Sequence, residues 1–257
     1  MSETASKSSI QVIDRMMKLL DVLAEHNEPL GLKQLAQLTS LHPSSAHRIL
    51  NVMVEKRMVD RVEPGTYQLG IKFLELGNLV KSRINIRQIA LPFMQTLNAE
   101  LGETVNLILR QGDEAVYVER TSGGRSMMRV VQVIGARAPL HITAVGKIFL
   151  AEEGINACDN YAKRNGLPAY TENSITNVDD LCKAVQQAKK QGIAFDNEEA
   201  EKGVCCIGAG IYDSDHGLIA GLSVSAPTDR LDKAWAAKIK NTAAQISKVL
   251  GYRPAST

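Results

Sequence analysis

Apolar positions along the first part of the chain recur at helical spacing and stop at turn residues. Over residues 10–25, Val12, Met16, Leu19, Leu20 and Leu23 form one stripe, which ends at Asn27-Glu28-Pro29. A shorter run, Leu32, Leu35, Ala36 and Leu38, ends at Thr39-Ser40. A third starts after only Leu41-His42, with Pro43 suited to a first helical turn, and sets Ala46, Ile49, Leu50 and Met53 at i, i+3, i+4 and i+7. Three short helices with a tight middle turn are predicted. The period then changes: residues 58–62 and 67–69 are strand-like runs around Glu63-Pro64-Gly65-Thr66, whose Pro-Gly pair suits a type II turn. Helices followed by such a hairpin predict a winged helix-turn-helix over residues 10–70, after a polar, disordered start at 1–9.

With its apolar side packed inward, the third helix leaves Ser44, Ser45, His47, Arg48 and Asn51 outward or flanking. An ordinary solvated helix has similar residues, but the hairpin that follows gives this one the context of a recognition helix. In such a module the N-terminal residues of the helix approach base edges in the major groove, and the hairpin reaches the flanking backbone. Ser44, Ser45, His47, Arg48 and Asn51 are therefore the candidate DNA-binding residues, with Arg61 and the wing tip on phosphates. Arg48 is the one fixed positive charge on that face. Because phosphate contacts supply much of the affinity, so lightly charged a module needs a second copy to hold a two-half operator.

Residues 71–88 continue in helical register through Ile71, Leu74, Leu79 or Val80 and Ile84, with Lys72, Lys81, Arg83 and Arg87 between them. They read as a linker helix that can pair with its twin. Leu91-Pro92 marks a kink or fresh helix start, and Leu101-Gly102 a C-terminal cap. The second domain, 89–257, alternates in texture. Strands are expected at 104–109, 115–120 and 128–133, with Gly112-Asp113 turning the first into the second. A helix follows at 144–152 and another from Asn177 as cap to Gln191, closed by Gly192; strands near 194, 206–211 and 218–225 precede a last helix at about 233–250. The fold class is α+β with a largely antiparallel sheet.

Length and composition agree with two domains: 257 residues with 44% hydrophobic content exceed one ordinary domain and suffice for real cores. Residues 1–90 carry 12 Lys/Arg against 9 Asp/Glu, and the remainder 18 against 19, a split of +3 and −1. Three of the five histidines, His26, His42 and His47, also lie in the first part, a weak asymmetry in the direction a nucleic-acid module requires. The start has no apolar signal core and no run approaches a membrane span, so a soluble cytoplasmic protein without membrane partners is expected. Cys158, Cys182, Cys205 and Cys206 lack metal-ligand spacing and read as reduced thiols; no metal or cofactor is expected.

Two stretches of the second domain carry candidate chemistry. Residues 143–146 open a helix whose first amides would welcome an anion. Further on, Ser223 and Ser225 alternate with Leu222 and Val224, so both hydroxyls point to one face of a strand, satisfied there by backbone or by a ligand. Cys206, His141 or His216, and Asp196 contain the ingredients of a thiol hydrolase, yet no local signature arranges them. Gly208-Ala209-Gly210 lacks the third glycine of a dinucleotide loop, since position 213 is Asp. A scaffold that only dimerises is the remaining alternative.

With these residues in hand, the chain resembles the IclR family of bacterial transcription regulators from about residue 10 to 250. The resemblance lies in Leu35-Ala36, Ser45-Ala46-His47-Arg48-Ile49-Leu50 and Tyr67-Gln68-Leu69-Gly70. It is most specific in the run from Gly192 through Asp196, Glu198-Glu199, Gly203-Val204-Cys205-Cys206-Ile207 and Leu222-Ser223-Val224-Ser225-Ala226-Pro227 to Arg230. It implies a GAF-like effector-binding domain, a ligand that is a small carboxylate or aromatic acid, and a homodimer or dimer of dimers on double-stranded operator DNA. The effector positions it implies are Asp196, Cys206, Ser223 and Ser225, with backbone amides at Ala144 and Val145 and apolar walls from Met127, Met128 and Leu140. This chain departs from the family pattern at Ser44, often basic, at Ser40, often glycine, and at Ala144-Val145, often Gly-Ala, where the bulkier Val145 would narrow the pocket.

Overall fold

The computed structural model describes residues 3–81, 83, 85–122, 133–154 and 156–254. The chain divides into two compact units, Met1–Ile84 and Asn85–Thr257.

The first unit contains α1 (Glu3–Glu25), β1 (Leu30–Gly31), α2 (Leu32–Leu38), α3 (Pro43–Glu55), β2 (Val59–Arg61), β3 (Thr66–Leu69) and α4 (Lys72–Lys81). The apolar stripes converge on one core in which Leu19, Leu35, Leu50, Met53, Val59 and Tyr67 are essentially inaccessible. Each such side chain contributes about 1.5–3 kcal/mol relative to its exposed state. The three strands form a small antiparallel sheet in the order β1-β3-β2. Two-residue β1 is too short to show any periodicity; its pairing of Leu30 with Tyr67 and Gly31 with Thr66 is a tertiary event. The expected disordered start is corrected: α1 begins at Glu3, not Ile10. Residues of ordinary helix propensity extend an existing helix cheaply, because the costly nucleus has already formed.

The wing turn has the backbone its residues foretell, and the turn between α2 and α3 is tight as expected. Thr66 N donates to Glu63 O at 3.0 Å across Pro64-Gly65, and Gly65 has φ +87°, the left-handed position of a type II turn. Between α2 and α3, Ser40 occupies the left-handed region at φ +56° while Leu41 N donates to Ala36 O at 2.9 Å. An L-residue pays a steric penalty there that glycine does not. Ser40→Gly is therefore expected to stabilise the first unit by up to about 1 kcal/mol, less the entropy that glycine loses on folding. Urea denaturation would register this as a higher midpoint at unchanged slope; a lower midpoint would show that the serine side chain compensates its own strain.

The single linker helix expected over 71–88 is corrected to two helices. α4 ends at Lys81, and α5 (Ile86–Leu101) starts afresh with Asn85 as its N-cap, whose side chain accepts from Arg87 N at 3.1 Å. Asparagine at that point competes for the backbone amides that a continuous helix would use internally. Pro92, expected at a kink or helix start, lies inside α5.

The second unit continues with β4 (Thr104–Gln111), β5 (Glu114–Thr121), β6 (Arg137–Pro139), a 3-10 turn (Leu140–Ile142), α6 (Ala144–Glu152), α7 (Ala157–Asn165), α8 (Val178–Gln191), β7 (Ile193–Asn197), β8 (Val204–Tyr212), β9 (Leu218–Pro227) and α9 (Trp235–Val249). Among the described residues its six strands pair antiparallel throughout, in the order β6-β5-β4-β9-β8-β7. One face, with Val105, Leu107, Ile207, Leu222 and Val224, packs on α5 and α9. The other, with Ile108, Ala115 and Tyr117, packs on α6, α7 and α8. α6 and α8 have the bounds their caps predict. α7 is unforeseen, since of its nine residues only Ala157, Cys158 and Tyr161 are buried, too few to draw a stripe. The strand expected at 128–133 lies, Val133 apart, outside the described residues, as do Met127 and Met128. No described helix is long and apolar enough to cross a membrane.

Candidate nucleic-acid interface and ligand site

On α3, Ala46, Ile49, Leu50 and Met53 are buried while Ser44, His47, Arg48 and Asn51 are exposed and Ser45 is half-buried. The helix start is built by a residue the periodicity does not single out: His42 is the N-cap, and its Nδ1 accepts from Ser44 N at 3.4 Å and lies 2.8 Å from Ser44 Oγ. Asn51 Nδ2 stands 3.4 Å from His47 Nδ1. Arg61, expected on phosphate, is turned back onto the helix. Its Nη2 donates to Asn51 Oδ1 at 2.8 Å and to Tyr67 Oη at 3.3 Å, with the guanidinium 5.4 Å from the Tyr67 ring centre. The wing is thereby clamped to the recognition helix, and Arg48 is left as the exposed cation of α3.

In the second unit, the register brings the predicted ligand residues into two rungs across the sheet. One rung reads Asp196, Cys206, Ser225, Thr104; the next reads Ala194, Gly208, Ser223, Asn106, Arg120. With Leu222 and Val224 turned to α5 and α9, Ser223 and Ser225 face α6, and both are nearly buried. Asn106 Nδ2 donates to Ser225 Oγ at 3.1 Å and to Ser223 Oγ at 3.4 Å, and the Cys206 thiol donates to Ser225 Oγ at 3.2 Å. Asn106 and Arg120 share this candidate face and were not singled out in the sequence. The signal for Asn106 is a lone amide inside the apolar run Val105-Asn106-Leu107-Ile108, on the face opposite Val105 and Leu107. Arg120 is betrayed by its neighbours: Glu119 reaches back to Arg87 of α5 and Thr121 to Met94 O, which puts Arg120 on the α6 face. Burial lowers the pKa of its guanidinium.

α6 supplies the remaining groups. Thr143 caps it, accepting from Gly146 N at 3.1 Å, and the amides of Ala144 and Val145 have no bonding partner among the described residues. Val145 N lies over β8: a Cβ at Gly208 would stand 3.1 Å from it. The Val145 side chain fills the space above Gly208 and Gly221.

Behind this face Lys147 and Glu199 form a buried ion pair, Nζ to Oε1 at 2.6 Å, and Lys147 Nζ also donates to Phe195 O at 2.7 Å. Glu199 N donates to Asp196 Oδ1 at 2.7 Å. Burial, with the Glu199 carboxylate second, pushes Asp196 up to about 7. A folded-state value above the unfolded one means that the native chain keeps a proton the unfolded chain has lost. The stability tied to Asp196 is therefore fully present below about pH 4, falls as pH rises towards about 7, and is level beyond. Melting temperatures between about pH 5 and about pH 7.5 are expected to decline less in Asp196→Asn than in the unsubstituted chain; parallel curves would exclude Asp196 as the source.

The ingredients of a thiol hydrolase are not assembled. Burial, then Asp196, hold the Cys206 thiol well above its ordinary value, so it is a donor and not a thiolate. His141 is fully buried with both ring nitrogens engaged, Nδ1 to Tyr161 Oη and Nε2 to Pro168 O, each at 3.1 Å. His216 sits in the β8–β9 turn against Tyr252. All four cysteines are free thiols. Two described clefts, of about 720 and 490 Å³, lie along the β7 edge and share Asn197, Glu199 and Lys233; the predicted effector residues line neither.

Residues 12–63 match the model of the IclR helix-turn-helix domain, and residues 79–248 that of the bacterial transcriptional regulator IclR C-terminal domain. The chain is similar to the HTH-type transcriptional regulator KipR of Bacillus subtilis, 34% identical over 250 residues that cover 94% of this chain and 98% of that protein. It is also similar to the transcriptional repressor IclR of Escherichia coli, 33% identical over 225 residues, 86% and 82% of the two chains. Among solved structures, the Agobacterium tumefaciens repressor BlcR superposes with a TM-score of 0.84 at 26% identity, covering 95% of this chain and 98% of that one.

Proposed function

Because the chain belongs to the IclR family, and is a DNA-binding transcriptional regulator and not an enzyme, we propose that a small carboxylate or aromatic acid bound between α6 and the sheet controls its hold on operator DNA. The observation that carries this reading is the convergence of donors on one face: the Ser223 and Ser225 hydroxyls, the Ala144 and Val145 amides at a helix start, and the Arg120 cation. Hydroxyls, helix-start amides and a half-buried guanidinium are what a carboxylate needs to replace its water. Asp196 and Cys206 close the far end of the site.

On DNA, Ser44, Ser45, His47 and Arg48 enter the major groove, with Asn51 held by Arg61 at the base of the wing. Two copies act together. Leu74, Leu76, Leu79 and Val80 of α4 are 44–63% exposed, and Val12, Ile13 and Met17 of α1 are 40–55% exposed, an amount of apolar surface that a second copy would cover. The working form is a homodimer, or a pair of dimers, whose two DNA-binding modules change spacing when the acid binds one arrangement better than the other.

Gel shifts on DNA upstream of the protein's own gene test the first half. Arg48→Ala is expected to weaken binding roughly tenfold or more, a cost of about 1–3 kcal/mol, and undiminished binding would remove Arg48 from the interface. Ser223→Ala should bind DNA like the unsubstituted chain yet need a higher acid concentration to respond. A melting-temperature screen of organic acids that finds none stabilising at millimolar concentration would defeat the effector half.

A further inference from the structure

Asn106 carries more than the orientation of two serines. Its Nδ2 gives one proton to Ser223 Oγ and one to Ser225 Oγ, and Ser225 Oγ receives a third from the Cys206 thiol. Both lone pairs of Ser225 Oγ are thus occupied and one of Ser223 Oγ, which leaves each hydroxyl proton to be donated outward. Those protons suit a carboxylate, which only accepts. The other end of the same amide behaves differently: Asn106 Oδ1 is buried, on a residue 2% exposed, and has no hydrogen-bond partner among the described residues. Buried polar atoms are nearly always paired, and an orphan acceptor is costly to keep. A carboxylate cannot relieve it, having no proton to give.

Resting on the acid-binding reading above, we infer that Asn106 is a specificity-determining residue whose Oδ1 accepts from a hydroxyl on the ligand, so that the effector is a small acid with a hydroxyl beside its carboxylate. Oδ1 belongs to the same amide whose Nδ2 bonds both serines, so a hydroxyl close to the carboxylate on a small ligand can reach Oδ1 while the carboxylate takes the serine protons. A 2-hydroxy acid has this arrangement. The matching acid without the hydroxyl fills the serine donors and leaves Oδ1 bare. Sites built around such a hydrogen bond reject the analogue lacking it far more strongly than apolar pockets reject a missing methylene.

The test is calorimetric titration of the full chain with matched acids: lactate, propionate and pyruvate, and mandelate with phenylacetate. The hydroxy acid of at least one pair is expected to bind roughly tenfold or more tightly than its deoxy partner. In Asn106→Leu, checked for folding by its unliganded melting transition, that ratio should fall towards one. The comparison among acids on the unsubstituted chain stands even if the variant does not fold. Equal binding within both pairs overturns the role of Asn106 while leaving the acid site intact. Pyruvate bound better than lactate overturns it too, since that preference needs the amide turned with its N–H to the ligand. A ratio that survives Asn106→Leu but vanishes in Asp196→Asn transfers the hydroxyl to Asp196. No heat and no stabilisation with any acid removes both this inference and the reading on which it rests.

Discussion

Lys147→Met is expected to lower the stability of the second unit by about 3–5 kcal/mol, the usual cost of breaking a buried ion pair from one side. The side chains of Lys147 and Glu199 are 3% and 6% exposed, so solvent offers the abandoned Glu199 carboxylate little relief. One of its oxygens, Oε2, is without a hydrogen-bond partner among the described residues, and Asp196, bonded through the Glu199 amide, adds a second acidic group nearby. The substitution also frees the Phe195 carbonyl of edge strand β7. For a unit of this size the midpoint of thermal unfolding should fall by roughly ten degrees. Lys147→Met combined with Glu199→Leu should recover most of the loss, because two apolar side chains no longer face a stranded charge. A single-substitution loss under about 1 kcal/mol would mean that water reaches the pair.

The second large effect is expected at Gly221. A Cβ there would lie 2.1 Å from Val145 Cγ1 and 2.9 Å from Cγ2. Valine in a helix has one strongly preferred rotamer and cannot swing aside, and α6 is held down by its cap and by a fully buried flank. Gly221→Ala should therefore cost about 3 kcal/mol through overpacking, and should slide α6 away from the sheet, taking the Ala144 and Val145 amides with it. Acid-induced stabilisation should disappear together with the native midpoint. Val145→Ala in the same chain removes both offending methyls; the double variant is expected to be more stable than Gly221→Ala alone by more than about 1 kcal/mol. Purely additive losses would show that the contact between β9 and α6 is not where the strain resides.

Legibility along the chain followed how local the cause was. The three helices and the wing of the first unit were readable because helical spacing, Pro43 and Pro64-Gly65 act within a few residues of one another. α8 was readable to its ends from Asn177 and Gly192, and α6 was expected over its observed span. Where a feature had no local cause the reading failed. α1 propagated past its stripe to Glu3, β1 formed only because Tyr67 was beside Leu30, and Asn85 broke the linker at a point where the apolar register itself ran on. Arg61, read as a phosphate contact from its place in a hairpin, stays exposed and also bonds Asn51 and Tyr67, a pairing that no local pattern announces.

The candidate ligand face shows the same division. Alternation within β9 was enough to say that Ser223 and Ser225 share a side, and the family resemblance picked out Asp196 and Cys206. Asn106 and Arg120 went unnoticed, since nothing near either in sequence says what it will oppose. The sequence by itself determined the order and type of most elements, the two-unit division, and which residues of β9 point together, because periods of two and 3.6 are properties of a single segment. Only the tertiary structure decided that β4 runs beside β9, with Asn106 opposite Ser223, and that α6 lies over both. Strand order and register are settled by contacts between segments more than a hundred residues apart, and it is those contacts that turn alternating serines into a pair of aligned donors.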